Sequence, residues 1–171
     1  MSYEHRTLAV DASTLILLAK VDLLPALAER VRIILTREVR DEAVRKPELW
    51  DARLIARMIQ ERRLSIRRVD VKQTRRLMSD FRLDAGEASS LVLAQDVSAT
   101  LGTDDAMAIQ ACKVLGVPFV TALHVLIRFR EQRLLAEPEV LAKLEKLQRF
   151  GRYGTRILED AVRRIQGDRT T

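Results

Sequence analysis

A single cysteine in 171 residues rules out an internal disulfide, and with it the stapled scaffolds of small secreted proteins. Cys112 falls at the apolar period of a predicted helix, the place of a buried thiol. Histidine is almost as scarce: His5 and His124, with one cysteine, cannot supply a zinc site of ordinary spacing, and His124 reads as a surface or packing residue. Aromatic side chains make up 4% of the chain, namely Tyr3, Trp50, Tyr153 and four phenylalanines, so a groove stacking successive bases of one strand is not supported. The apolar stretch from Leu8 to Leu24 is broken by Asp11, Lys20 and Asp22, which excludes a membrane span or a signal-peptide core. A cytoplasmic protein without a membrane partner is the expectation. Neither an internal repeat nor a low-complexity linker interrupts the chain.

What is present is the balance of a packed globular protein, 47% apolar and 32% charged. The length favours one domain over 1–171. Thirty Lys and Arg against twenty-four Asp and Glu give +6, a far field that suits nucleic acid or an acidic partner segment, or simply a solvated arginine-rich surface.

Leu8 to Val10 reads as a buried strand ending on Asp11, and a helix follows through Ala19 with Ser13 as its cap. A short helix over Leu23–Glu29 precedes a strand over Val31–Leu35, after which Thr36 caps a helix carrying Val39 and Ala43 and closed by Pro47. An amphipathic helix over Leu49–Arg62, a strand over Leu64–Val69, and helices over Val71–Phe81 and Ala85–Gln95 come next. A strand over Ala99–Thr103, a helix from Asp105 to Leu115 ending at Gly116, and a last strand over Val117–Thr121 complete the alternation. Strands alternating with helices imply parallel pairing, hence a three-layer α/β/α sandwich with a mainly parallel central sheet. The core spans about 7–130, and from Leu123 the pattern is helical. The extension over about 131–167 consists of packing helices, with Gly151 and Gly154 separating Leu134–Phe150 from Ile157–Ile165.

Asp11, Glu42, Glu87, Asp104 and Asp105 each fall at a strand end or in the first turns of the following helix. Each has an ordinary explanation as a cap or a surface charge, and Asp84 before Gly86 and Glu87 serves as a cap. Several carboxylates gathered on one sheet edge repel one another, however, and a divalent cation removes that conflict. All-oxygen ligands suit Mg²⁺ or Mn²⁺. The hydroxyls of Ser13 and Thr103 stand beside these acids, to orient water or a phosphate oxygen or to cap a helix. Arg62, Arg63, Arg67, Arg68, Arg75 and Arg76 cluster around the third strand, as a cationic wall for RNA phosphates or as a solvated face.

In order, Val10-Asp11-Ala12-Ser13, Glu42 within Glu38–Val44, Gly86-Glu87-Ala88 and Thr103-Asp104-Asp105 resemble the pattern of the PIN domain family. With Leu115-Gly116-Val117-Pro118 and Thr121–Leu126, the chain looks like its DUF3368 branch, close to the VapC toxins of VapBC toxin–antitoxin pairs. The resemblance covers roughly the whole chain and implies a metal-dependent endoribonuclease leaving a 5′-phosphate and a 3′-hydroxyl. It places the catalytic and metal-binding roles on Asp11, Glu42, Glu87 and Asp105, with Asp104 left open beside Asp105 as the late ligand. It also implies a homodimer and an antitoxin partner, for which exposed apolar positions on the Leu49–Arg62 helix would form a groove. Ala12, and Ala106-Met107-Ala108 after the aspartate pair, depart from the family's usual hydroxyl and basic residues. Two rivals stand beside this reading: a PIN-fold binding module without catalysis, and a receiver-like phosphotransfer domain, which the wide spacing of the acids disfavours.

Overall fold

The structure, a computed structural model, describes residues 7–167; Tyr3 and His5 lie outside them. The elements are β1 (Thr7–Val10), α1 (Ala12–Lys20), α2 (Leu24–Ala28), β2 (Arg32–Leu35), α3 (Arg37–Ala43), α4 (Trp50–Gln60), β3 (Leu64–Ile66), α5 (Val71–Phe81), α6 (Ala85–Asp96), β4 (Thr100–Gly102), α7 (Ala106–Leu115), β5 (Phe119–Val120), α8 (Ala122–Glu131), α9 (Glu137–Phe150) and α10 (Thr155–Gln166).

The five strands form one sheet in the order β3-β2-β1-β4-β5, and every pair in it is parallel. Because successive side chains of a strand point to opposite faces, β1 and β2 divide their apolar residues between two layers. Leu8, Val10, Ile33 and Leu35 join α1 to α4 and α8 to α10 on one face. Ala9 and Ile34 join α5, α6 and α7 on the other. The result is the expected three-layer α/β/α architecture. Helix α6 lies in the thick of it, buried from Ala88 through Ala94, which is why that stretch holds only small or apolar residues and no charge.

The last two helices belong to the first layer. Val140, Leu144, Leu147, Leu158, Ala161 and Ile165 share one apolar cluster with α1 and α8. No helix among the described residues is long and apolar enough to cross a membrane.

Several boundaries differ from the sequence expectation. The cap of α1 is Asp11, not Ser13: Asp11 has the extended backbone of a strand end (φ −75°, ψ 167°) and accepts from the Thr14 N–H, so Ser13 lies inside the first turn. Helix α3 stops at Ala43, before Pro47 is reached. Strands β3 and β5 are shorter than expected, since an edge strand has a partner on one side only, though Arg67 N–H still reaches Leu35 O at 2.8 Å. The helical tail carries a further break, between α8 and α9. There Arg133 adopts a left-handed conformation (φ 56°) and Pro138 stands in the first turn of α9, where its missing N–H costs nothing. The helix before β5 ends as expected on Gly116, whose φ of 68° a side chain would strain.

Candidate active site

Strand order turns the chain to opposite sides of β1: β2 and β3 lie on one flank, β4 and β5 on the other. The crevice at such a switch point, outside the carboxyl ends of the strands, is where α/β sheets bind ligands. Asp11 follows β1 there, and Thr103-Asp104-Asp105 follows β4.

Asp11 is 1% exposed. Its Oδ1 accepts from the Thr14 N–H (2.8 Å) and the Ser13 hydroxyl (3.2 Å), whereas Oδ2 is buried with no hydrogen-bond partner. Burial pushes the Asp11 carboxyl above its usual range; the Thr103 and Thr14 groups pull it back only in part, and the Asp104 charge raises it further. A buried carboxylate oxygen without a donor costs free energy unless a cation or a proton meets it.

Glu87 and Asp84 form a reciprocal cap on α6: Glu87 N–H donates to Asp84 Oδ1 (2.8 Å) and Asp84 N–H to Glu87 Oε2 (2.9 Å). Half-buried, Glu87 is pushed up to about 7, first by burial and then, against the Asp84 N–H bond, by the charges of Asp84, Asp105 and Asp11. It is therefore electrostatically joined to the two aspartates across the crevice. Glu42 reaches the same side of the sheet from α3. A Cβ placed on Gly86 would lie 3.3 Å from Glu42 Oε2, so the glycine makes room for a carboxylate.

The late pair divides its work. Asp104 is engaged through both oxygens: Oδ2 accepts from Thr14 Oγ1 (3.0 Å) and the Ala122 N–H (3.1 Å), and Oδ1 accepts from the Tyr153 hydroxyl. Thr14 Oγ1 accepts in turn from Asp104 N–H (2.9 Å). Asp105 caps α7 through Oδ1, which accepts from the N–H groups of Met107 and Ala108, and its own N–H donates to Thr103 Oγ1. Thr103 is fully buried and Ser13 exposed, so the two hydroxyls frame Asp11 from inside and outside. In this arrangement no group of three His, Cys, Asp or Glu among the described residues is drawn together tightly enough to hold one ion. The orphaned Asp11 oxygen and the all-oxygen donor set are nevertheless what a hard divalent cation would meet.

A cleft of about 550 Å³ opens on this edge, with Ser13, Glu87, Asp104 and Asp105 on one side and residues of α8, the α9–α10 connection and α10 on the other. His124 lines it while capping α8 with Thr121, the Thr121 N–H donating to Nδ1 at 3.4 Å. Withdrawal from solvent, then Arg164, hold His124 below its usual range. Thr14 and Tyr153 were not legible as site residues: one sits in an apolar helical run, and the other was marked only by the glycines around it.

The six arginines near β3 do not converge. Arg62 and Arg63 precede β3 and so stand at the amino edge of the parallel sheet, opposite the crevice. Arg63 is occupied there by Pro25 O (3.0 Å) and Glu29 (3.6 Å). Arg67 and Arg68 follow β3 on the carboxyl edge, two strands from β1. Arg75 and Arg76 are exposed on α5, the latter 3.5 Å from Asp80.

An all-parallel three-layer sheet with carboxylates at its switch point defines the class: an α/β domain whose chemistry lies at the carboxyl edge. The family model of DUF3368, a PIN domain, matches residues 7–166, and the chain belongs to that family. PIN domains are generally nucleases. The crystal structure of PAE2754 from Pyrobaculum aerophilum is similar in fold, with a TM-score of 0.52 and 20% identity over 72% of this chain and 96% of that one. No curated protein matches the chain.

Proposed function

We propose that the protein is a metal-dependent endoribonuclease, using Mg²⁺ or Mn²⁺ at the carboxyl edge of β1 and β4, and the toxin of a type II toxin–antitoxin pair. The observation that carries the catalytic part is Asp11 Oδ2, buried without a donor behind Ser13, which lines the acidic edge of the cleft. When bound, a divalent cation supplies Lewis acidity for phosphodiester hydrolysis and cancels the repulsion among these acids. Asp11 holds one oxygen on Thr14 and Ser13 and presents the other. Asp105 spends Oδ1 on the cap of α7 and offers Oδ2, while the full set of hydrogen bonds on Asp104 favours it as a tether and Asp105 as the late ligand. Glu87, ionising at about 7, accepts or releases a proton near neutrality. Glu42, close to Gly86, serves as a ligand through water or positions the nucleophile.

The spread of the acids in this arrangement keeps one rival in play, a PIN-fold module that binds without cutting. A pool of labelled RNAs incubated with purified protein in Mg²⁺, Mn²⁺ or EDTA separates the two. Metal-dependent cutting that disappears in both Asp11→Asn and Glu87→Gln supports the nuclease; well-folded protein that never cuts supports the module. Co-expression with the product of a neighbouring gene, followed by sizing of the complex, tests the antitoxin and the homodimer.

A further inference from the structure

The cleft beside the acidic edge has a second wall that the proposed chemistry does not use. From Ser13 and Glu87 it runs past Leu17, over a floor that includes Leu123 and Ile127, to Phe150 and the α9–α10 connection. Its character changes along the way from carboxylate to aliphatic to aromatic and cationic. The chain has seven Phe, Tyr and Trp residues, and two of them, Phe150 and Tyr153, border this one space. Phe150 is 49% exposed although large and apolar, and Lys20 Nζ stands 5.3 Å from its ring centroid. Arg152 and Arg164 line the same wall; Arg164 is 3.0 Å from Glu131 at the surface, and Arg152 enters no ion pair among the described residues. The acidic Asp160, also on this wall, is 3.7 Å from Arg163.

Three physical points narrow the occupant. A carboxylate-lined edge repels a polyanion, so the phosphates flanking a cut need cations close by, and those lie across the cleft. An open aromatic ring above an aliphatic floor suits the flat face of a base, which stacks with little regard to its identity. A pocket of about 550 Å³ matches a single small ligand rather than a helix of paired bases, so a base entering it must be unpaired.

We propose that this cleft seats one unpaired RNA nucleotide next to the scissile phosphate, its base against Phe150 and the aliphatic floor and its phosphate against Arg152 and Arg164. The C-terminal helices would then read the substrate while the sheet edge cuts it. The substrate class rests on the nuclease reading, but the pocket does not depend on catalysis. Tyr153, fastened to Asp104, sets the spacing between the two functions.

The test is an abasic scan: unpaired RNA oligonucleotides lacking one base at each position in turn, with binding to the full chain followed by fluorescence anisotropy in EDTA. One position should weaken binding about tenfold in the unaltered protein, and Phe150→Ala should erase that position's effect. Should the alanine variant unfold, Phe150→Leu keeps an apolar side chain without an aromatic face and makes the same comparison. Arg152→Ala with Arg164→Ala should weaken all oligonucleotides alike. A flat scan, a Phe150 variant with the unaltered pattern, or no binding to any unpaired RNA overturns the pocket. Binding with this pattern by a protein that cuts nothing in Mg²⁺ or Mn²⁺ overturns the nuclease reading and leaves the pocket standing.

Discussion

On the sheet side of the cleft, Asp11 keeps a buried oxygen without a partner and Glu87 holds its proton up to about 7. On the helical side, charges meet in pairs near solvent: Arg164 with Glu131 at 3.0 Å, Arg130 with Glu137 at 3.2 Å, Arg128 with Glu131 at 3.2 Å. Apart from Arg152, the helical wall pairs its arginines within the fold. The sheet wall leaves a deficit that folding alone does not explain, and a protein tolerates such a deficit where a ligand makes it good. Asp104 belongs in sequence to the sheet wall but behaves like the helical one, every oxygen engaged. The contrast thus separates acids that hold the molecule together from acids held ready.

The largest effect should come from Asp11→Asn. The amide keeps the bond from Thr14 N–H but removes the charge, so cleavage should fall by more than the roughly 10–100-fold typical of changes behind the ligands. The metal-free fold should be no less stable, since the charge that burial disfavours is gone. Cleavage assays with urea unfolding in EDTA check both, and a variant that loses activity and stability together would put Asp11 among the structural acids.

Gly151→Ala tests the other wall. A Cβ there would come within 2.6 Å of the Tyr153 ring and 2.8 Å of Leu147 O, forcing the connection to shift at a cost of about 1–3 kcal/mol. Denaturant unfolding reads the loss; unchanged stability would mean that Tyr153 is not firmly seated on Asp104.

Glu87 ionises at about 7 in the fold against 4.5 unperturbed, so its contribution to the metal-free protein's stability is full below about 4.5 and is lost as pH rises through about 7. Thermal unfolding in EDTA between those limits should show a downward slope that Glu87→Gln flattens. If the ionised form is the active one, cleavage should rise across the same window. The smallest effect is expected of Glu131→Gln, whose exposed ion pairs contribute less than about 1 kcal/mol. A larger loss of stability would show that the helical wall, too, depends on its charges.

Much of this was legible in the sequence, because local rules govern it. Strand and helix alternation implied the parallel α/β/α sheet, Thr36 and Gly116 marked helix ends, and Asp11, Glu87 and Asp105 fell at strand ends or helix starts, where parallel pairing carries them to one edge. The rest depends on contacts between distant parts of the chain, which no local rule reaches. The split between Asp104 and Asp105 depends on Thr14, Ala122 and Tyr153, up to 90 positions away from Asp104. The six arginines look like one patch in the sequence but are divided between two edges and a helix, because a strand carries whatever flanks it to opposite ends. The second wall of the cleft was invisible for the same reason: residues near 150–164 join those near 13 and 87 only when α9 and α10 bury their apolar faces against α1 and α8.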